Sequence, residues 1–229
     1  AGQRGRPLIP DTQLRNMMSR AAMDNFQIAI DASGDAAASE ALDAIQELSE
    51  TYTGDRRWRI ERARVVTPAA LPRFGRYGII ASMTPAELAA DWRMVSARLG
   101  DARASGAYAW KAMGDNRVPL AFGTDMPAGS ASPFAGMAAA MSREDAQGQP
   151  GGGWMPEQRV AFEAALDGFT RAAAFAGFAD KRFGSLIVGQ RADFLLVDRD
   201  VSTARPAYIR ETQVLETWVG GKRVHAKGQ

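Results

Sequence analysis

Cysteine is absent from this chain of 229 residues, and histidine occurs once, as His225 near the C-terminal end. The lack of cysteine excludes disulfide bonds and metal sites built on thiolates. A single histidine also leaves little imidazole for a metal centre, because tight sites use three or more protein ligands. His225 falls in a predicted terminal hairpin with no second metal-binding side chain near it in sequence, so we expect it to face solvent.

The chain also has no long apolar run and no cluster of like charges. Its formal net charge is +2, and its longest cationic runs, such as Arg56-Arg57, are short and flanked by acidic residues. These features argue against a nucleic-acid-binding surface and against a membrane span. Because no signal peptide is recognisable either, the sequence slightly favours a cytoplasmic location.

Short apolar runs alternate with helical segments through the first half of the chain. The predicted strands cover residues 26–30, 58–60, 79–83 and 120–122. The predicted helices cover residues 11–24, 35–50, 67–77, 86–99 and 106–113. Such alternation indicates parallel strands joined by right-handed crossovers. Four βα units of this length make half of an eightfold barrel.

The second half of the chain does not repeat this pattern. Pro156 opens a predicted long helix that runs to about Phe175. Further on, strands are predicted at 192–197, 213–219 and 222–225, with Gly220-Gly221 as a hairpin turn. We therefore divide the chain into an α/β half-barrel, residues 1–183, and a β appendage, residues 184–229, which Asp193 is expected to organise.

Asp125 follows the strand predicted at 120–122, with Gly123 between them and Pro127 close behind. The proline and the small residues after it prevent an immediate helix, so Asp125 is expected in a loop at the carboxyl end of the strand. Catalytic residues of βα-repeat folds gather at that edge. The alternative is that Asp125 serves as a turn or cap residue. Asp35, after the first predicted strand, is expected to cap the next helix.

Four stretches of the chain resemble motifs of the amidohydrolase superfamily, and they are most similar to its amidohydrolase-3 branch, which contains N-substituted formamide deformylases. The stretches are Gly123-Thr-Asp-Met-Pro127, Arg59-Ile-Glu-Arg-Ala63, Gly184 to Asp198 and Thr217 to Val224. The resemblance extends from about Gly5 to Val224. It implies the second half of a TIM-like (β/α)8 barrel, strands five to eight, together with the C-terminal strands of a small β-sandwich.

The same resemblance implies a metal-dependent hydrolase of C–N bonds other than peptide bonds. In the family, one or two divalent metals, with zinc the expected ion, activate a water molecule, and an aspartate after the eighth strand takes its proton. Asp125 matches that aspartate, so it is the implied catalytic residue and an implied metal ligand. Met126 lies in the loop that would face an amide-type small molecule.

Two positions depart from the family pattern. Histidines are expected after the fifth and sixth strands, where this chain has Asp31 and Arg62. Asp31 can still bind a cation through oxygen, so it is a candidate metal ligand. Arg62 cannot, because guanidinium has no lone pair to donate; it would fill the site or contact the substrate. With these two residues, the chain lacks the imidazole ligands that the family's divalent metal would require.

The departures leave three functions open. One is the hydrolase of the family, and its alternative is a degenerate, non-catalytic subunit that keeps the scaffold but has lost the metal-binding histidines. The third is an enzyme that uses Asp31, Arg62 and Asp125 without a full metal centre.

A half-barrel leaves strand edges unpaired, and exposed edges aggregate unless something covers them. In the family, an N-terminal half supplies strands one to four. We therefore expect a second polypeptide, or an N-terminal segment of the same protein, to supply those strands here. An oligomeric assembly would follow.

Overall fold

The computed structural model describes residues 5–127 and 129–228, which form two compact units. One unit consists of residues 5–83 and 92–120, and the other consists of residues 84–91, 121–127 and 129–228. The boundary predicted between residues 183 and 184 stays a prediction. The two predicted ranges also include residues 1–4, 128 and 229, which lie outside the described residues.

The first unit alternates helices and strands, as the apolar pattern predicts. Its strands are β1 (Ala29–Asp31), β2 (Arg59–Glu61) and β3 (Ile80–Met83), and it contains the first residue of β4 (Leu120–Phe122). Its helices are α1 (Asp11–Met23), α2 (Asp35–Ser49), α3 (Leu71–Arg76), most of α4 (Leu88–Leu99), α5 (Asp101–Ala104) and α6 (Trp110–Asp115). Helix α2 turns one apolar face inward, where Leu42 and Ile45 are fully buried.

Strands β1, β2 and β3 pair in parallel, which confirms the predicted α/β arrangement. The four strands follow one another in the order β1-β2-β3-β4. Ile30 lies in register with Ile60, and Ile60 with Ala81; Ile60 and Ala81 are fully buried in the core, whereas Ile30 is half-buried. The N–H of Ala81 donates to the carbonyl of Pro119 at 2.9 Å. The assignment of this sheet to half of a barrel stays a prediction.

The first strand is shorter than predicted, because the chain before it ends helix α1 instead. Asn25 has the left-handed φ of 59°, and the N–H of Phe26 donates to the carbonyl of Ala21 at 2.8 Å. This is a common way for a helix to terminate. Phe26 is 68% exposed, so its apolar side chain does not belong to the sheet.

The second unit contains a mostly helical part and a separate antiparallel sheet. Its helices are α7 (Pro133–Ser142), α8 (Phe162–Phe169), α9 (Arg171–Ala176) and α10 (Pro206–Arg210), and short 3-10 helices cover Pro85–Glu87 and Pro156–Gln158. Its sheet consists of β5 (Phe194–Val197), β6 (Val214–Val219) and β7 (Lys222–Ala226). In the described part of the chain, no helix is long and apolar enough to cross a membrane.

The single long helix predicted from Pro156 to Phe175 is wrong. Arg159 has an extended backbone, and its guanidinium donates to the carbonyls of Ser142 (3.1 Å) and Gly152 (2.6 Å). A second break follows at Thr170, with φ −125° and ψ −91°. Hydrogen bonds to distant parts of the chain therefore replace helical bonds that the local pattern favours.

The β appendage follows the sequence prediction closely. Gly220 and Gly221 both have positive φ, 59° and 73°, as a two-residue hairpin turn requires. The carboxylate of Asp193 accepts the N–H of Gly220 at 2.9 Å and an Arg191 N–H at 2.8 Å, which confirms its organising role. These two partners, with Arg191 the stronger, hold the pKa of Asp193 below its ordinary value. His225 is exposed on β7, as expected. That this sheet forms part of a composite sandwich stays a prediction.

Candidate active site

Polar side chains lie side by side at the carboxyl edge of the sheet in the first unit. Asp31 and Glu61, the last residues of β1 and β2, are in register, and Glu61 is in register with Ser82. Residues in register point to the same face of a parallel sheet. Asp31 is exposed and Glu61 is half-buried, and Glu61 forms an ion pair with Arg59. Sequence reasoning overlooked Glu61 and Ser82, although their positions at predicted strand ends were a usable signal.

Arg62 follows β2 directly and adopts a left-handed backbone with φ 54°. A bulky residue in that region carries a cost of about 1–2 kcal/mol, so surrounding contacts must impose the conformation. The N–H of Ala63, the next residue, donates to the carbonyl of Ser82 at 3.3 Å. The side chain of Arg62 is half-buried.

Backbone hydrogen bonds fix the segment that leaves β2. The N–H of Val66 donates to the carbonyl of Gly106 at 2.9 Å, and the N–H of Tyr108 donates to the carbonyl of Arg64 at 2.7 Å. A Cβ atom on Gly106 would lie 2.1 Å from the carbonyl oxygen of Val66. Only glycine therefore permits this close backbone approach.

Asp35 begins helix α2 but does not cap it, because the capping position belongs to Gly34. The prediction of a cap is therefore wrong. Its carboxylate instead accepts two hydrogen bonds from the guanidinium of Arg103, at 2.9 Å and 2.8 Å. These bonds lower the pKa of Asp35, against the opposing effect of partial burial.

Asp125 belongs to the second unit and lies in the loop after β4, as predicted. Its φ is 51°, a left-handed value that Asp adopts more readily than most residues. The residue is half-buried, and its Oδ2 atom is shielded from solvent. Met126, next in the chain, is 63% exposed.

Side-chain packing holds the strand end that precedes Asp125. The ring of Phe122, the last residue of β4, is 6% exposed. It packs against the ring of Phe169, with the ring centroids 5.7 Å apart and the planes inclined at 58°. Gly168 lies against the same Phe122 ring.

The predicted site residues thus fall into two groups. Asp31 and Arg62 lie at the ends of adjacent strands in the first unit. Asp125 and Met126 lie together in the loop after β4, in the second unit.

The donor set of the described residues does not fit a metal ion by itself. Within residues 5–127 and 129–228, no group of three or more His, Cys, Asp or Glu side chains lies close enough together to hold one. Asp31 and Asp125 each offer carboxylate oxygens, whereas Arg62 offers only protonated nitrogen. A tight site would need further ligands.

Comparison with known proteins identifies relatives over almost the whole chain. The sequence profile of the Amidohydrolase family matches residues 2–225. Protein LONG AFTER FAR-RED 3 of Arabidopsis thaliana is 32% identical over 231 residues, which cover 96% of this chain and 38% of that protein. N-substituted formamide deformylase of Arthrobacter pascens is 28% identical over 92% of this chain and 38% of its own length.

A solved structure has the same fold. An uncharacterised metal-dependent hydrolase from Pyrococcus horikoshii OT3 superimposes with a TM-score of 0.79 and 25% identity, over 90% of this chain and 41% of that one. The chain therefore spans about two-fifths of the length of the relatives it matches.

Proposed function

The chain belongs to the amidohydrolase family, and from this membership we propose that the protein containing it hydrolyses C–N bonds of amide or formamide type, other than peptide bonds. One observation carries the proposal. Asp125, on the motif Gly123 to Pro127 that resembles the family, lies three residues after the end of β4 with a left-handed φ and with Oδ2 shielded from solvent. Unusual backbone conformations of this kind gather at functional sites.

Asp125 would act as the general base of the reaction. Its carboxylate accepts a proton as a water molecule adds to the carbon of the C–N bond. The bond to nitrogen then breaks, and the proton passes to the departing amine. The neighbouring Met126 would contact the substrate, because its side chain is exposed beside that carboxylate along the chain.

Asp31 and Arg62 take supporting roles in this proposal. Arg62 carries a fixed positive charge at the end of β2, where it would contact the substrate or fill the space that the family gives to an imidazole. Asp31 is the one residue of the first unit that we retain as a candidate metal ligand. Because the donor set found here does not make a metal site, no step of the reaction is assigned to a metal.

We further propose that the sheet of the first unit is completed by strands from an N-terminal segment or from a second polypeptide. Among the described strands, β1 lies at one end of the sheet order. A cavity of about 620 Å³ lies beside β1 and is lined by apolar side chains that include Leu14, Met17 and Ile30. Met17 is 53% exposed there, so a further packed layer would bury it.

Hydrolysis of N-formyl and N-acyl amines by the complete protein tests the main proposal. Replacing Asp125→Asn should lower kcat by about 10²–10⁴-fold, because the general base is lost. Asp115→Asn is the matched control, since Asp115 forms only a surface pair with Lys111. Unchanged turnover in Asp125→Asn would overturn the role of Asp125.

A second candidate function, a non-catalytic subunit that keeps the scaffold, is favoured by Arg62, whose guanidinium cannot replace an imidazole ligand. Native mass spectrometry combined with a chelator separates the candidates. A partner chain with divalent metal, and activity that the chelator abolishes, would support a metal-dependent hydrolase. Activity that survives the chelator but not Asp125→Asn would support a metal-free mechanism. A partner without metal or turnover would support the non-catalytic subunit.

A further inference from the structure

The end of β4 is held by one aromatic side chain. Phe122 is nearly fully buried and lies three positions before Asp125 in the chain. Its ring meets the ring of Phe169 from helix α8 in a tilted contact, with the centroids 5.7 Å apart. Because a buried ring resists displacement, this contact fixes where the backbone leaves the strand.

Two glycines make the room for these rings. A Cβ atom built on Gly168 would lie 2.4 Å from Cδ2 of Phe122 and 2.9 Å from its Cγ and Cε2. A Cβ atom on Gly136 would lie 2.5 Å from Cζ of Phe169. Separations this short force atoms to move, so both positions accept only glycine while the rings stay in place.

We infer that Gly168 is a positioning residue for Asp125, because it provides the space in which the Phe122 ring fixes the end of β4. A side chain at position 168 would push the ring, and with it the strand end, away from helix α8. Only Gly123 and Thr124 lie between the displaced Phe122 and Asp125 in the chain. The link to hydrolysis rests on the proposed function, whereas the link to the position of Asp125 does not.

A thiol at position 125 reports that position without any activity. The chain contains no cysteine, so Asp125→Cys introduces its only thiol. In the complete protein, the rate of alkylation by iodoacetamide is followed by mass spectrometry of the peptide that contains residue 125. Because Oδ2 of Asp125 is shielded, we expect slow alkylation in the parent and a several-fold faster reaction after Gly168→Ala. Adding Phe122→Leu, which removes the colliding ring edge but keeps an apolar side chain beside position 168, should bring the rate part of the way back.

Two controls separate a local shift from general loosening. Gly151→Ala is the control for Gly168→Ala, because a Cβ atom at position 151 meets nothing within 4 Å. It should leave the rate of alkylation at position 125 unchanged. His225→Cys places a thiol on the exposed strand β7, and its rate should be the same in every background. An unchanged rate at position 125 after Gly168→Ala would overturn the inference, and so would a parallel change at position 225.

Steady-state kinetics then test whether the position of Asp125 affects the rate of hydrolysis. A displacement of about 1 Å can cost about 10²-fold in rate, so Gly168→Ala should lower kcat by about that factor with little change in KM, and Phe122→Leu should recover part of it. A loss confined to KM would overturn the positioning role. If Asp125→Asn leaves hydrolysis intact, the proposed function fails, while the alkylation rates still decide the inference about Gly168.

Discussion

The exits of β2 and β4, which are the segments that follow these strands, each contain a residue with a left-handed φ, and different contacts hold the two segments. Arg62 and Asp125, the residues in question, have φ values of 54° and 51°. After β2, backbone hydrogen bonds to the segment Gly106–Tyr108 hold the chain. Before Asp125, the packing of the Phe122 ring against Gly168 and Phe169 holds the strand end.

The difference predicts how each exit responds to a side-chain substitution. Backbone bonds fix the path of the chain whatever the side chain is, so the β2 exit can carry an arginine at the position where the resemblance predicts a histidine. Packing ties the other exit to particular side-chain shapes, since interiors are filled at crystal-like density. The left-handed residue after β2 can therefore carry a different side chain and keep its conformation. The left-handed residue after β4 depends on the packing of side chains that lie elsewhere in the sequence.

The largest effect is expected from Gly106→Ala. Its Cβ atom would lie 2.1 Å from the carbonyl oxygen of Val66. Neither residue's backbone can move away without breaking the hydrogen bond from the N–H of Val66 to the carbonyl of Gly106. We expect the free energy of unfolding in urea to fall by about 3 kcal/mol, the upper end of overpacking costs.

Gly114→Ala is the matched control for this change. Gly114 lies in helix α6, and a Cβ atom there meets nothing within 4 Å. Alanine in a helix should raise the free energy of unfolding by about 0.5–1 kcal/mol. Equal stabilities of Gly106→Ala and the wild type would show that backbone contacts do not fix the β2 exit.

A smaller loss is expected from Gly168→Ala. The colliding group is the ring of Phe122, which can tilt where a carbonyl cannot, so the free energy of unfolding should fall by about 1–2 kcal/mol. Phe122→Leu in the same protein should recover part of the loss, and urea denaturation of the four members of this double-mutant cycle measures the coupling. Additive effects would mean that the ring and the glycine do not act on each other.

The two exits also show which features of the fold could be predicted from the sequence and which could not. The local apolar pattern sufficed for α1, α2, β4 and the hairpin at Gly220, because each depends on residues close in the chain. It did not predict α7, whose alanine-rich segment is buried on most sides and so lacks an amphipathic pattern. The position of Asp125 after a strand was predictable. The contact of Gly168 with Phe122 was not, because it depends on how α8 packs.

A modest stabilisation is expected when the left-handed residue after β2 becomes glycine. Arg62→Gly relieves about 1–2 kcal/mol of backbone cost. It also adds about 0.5–1 kcal/mol of chain entropy to the unfolded state. The net gain in the free energy of unfolding is therefore about 0–1.5 kcal/mol by these costs. Asp125→Gly should gain less, because Asp tolerates this region better.

Arg62→Ala separates backbone from side chain in that experiment, since it removes the guanidinium but keeps the left-handed cost. Urea unfolding of all three variants should rank Arg62→Gly as the most stable. If Asp125→Gly gained as much as Arg62→Gly, the two exits would be equally strained, and the contrast between an arginine and an aspartate in this conformation would disappear.

The smallest effect concerns the response to acid of the ion pair at the start of α2. Hydrogen bonds from Arg103 hold the pKa of Asp35 below its ordinary value of 3.8, so the folded state binds this proton less readily than the unfolded state. The pair therefore stabilises the fold fully above pH 3.8 and loses its contribution as the pH falls through the lowered value. Arg103 is 42% exposed, so solvent screens the pair and keeps the effect small. Asp35→Asn should lower the urea midpoint at neutral pH, and the difference from wild type should shrink in acid. A difference that stayed constant in acid would mean that packing rather than charge ties the start of α2 to α5, and the first unit would then depend on side-chain shape in the same way as the exit of β4.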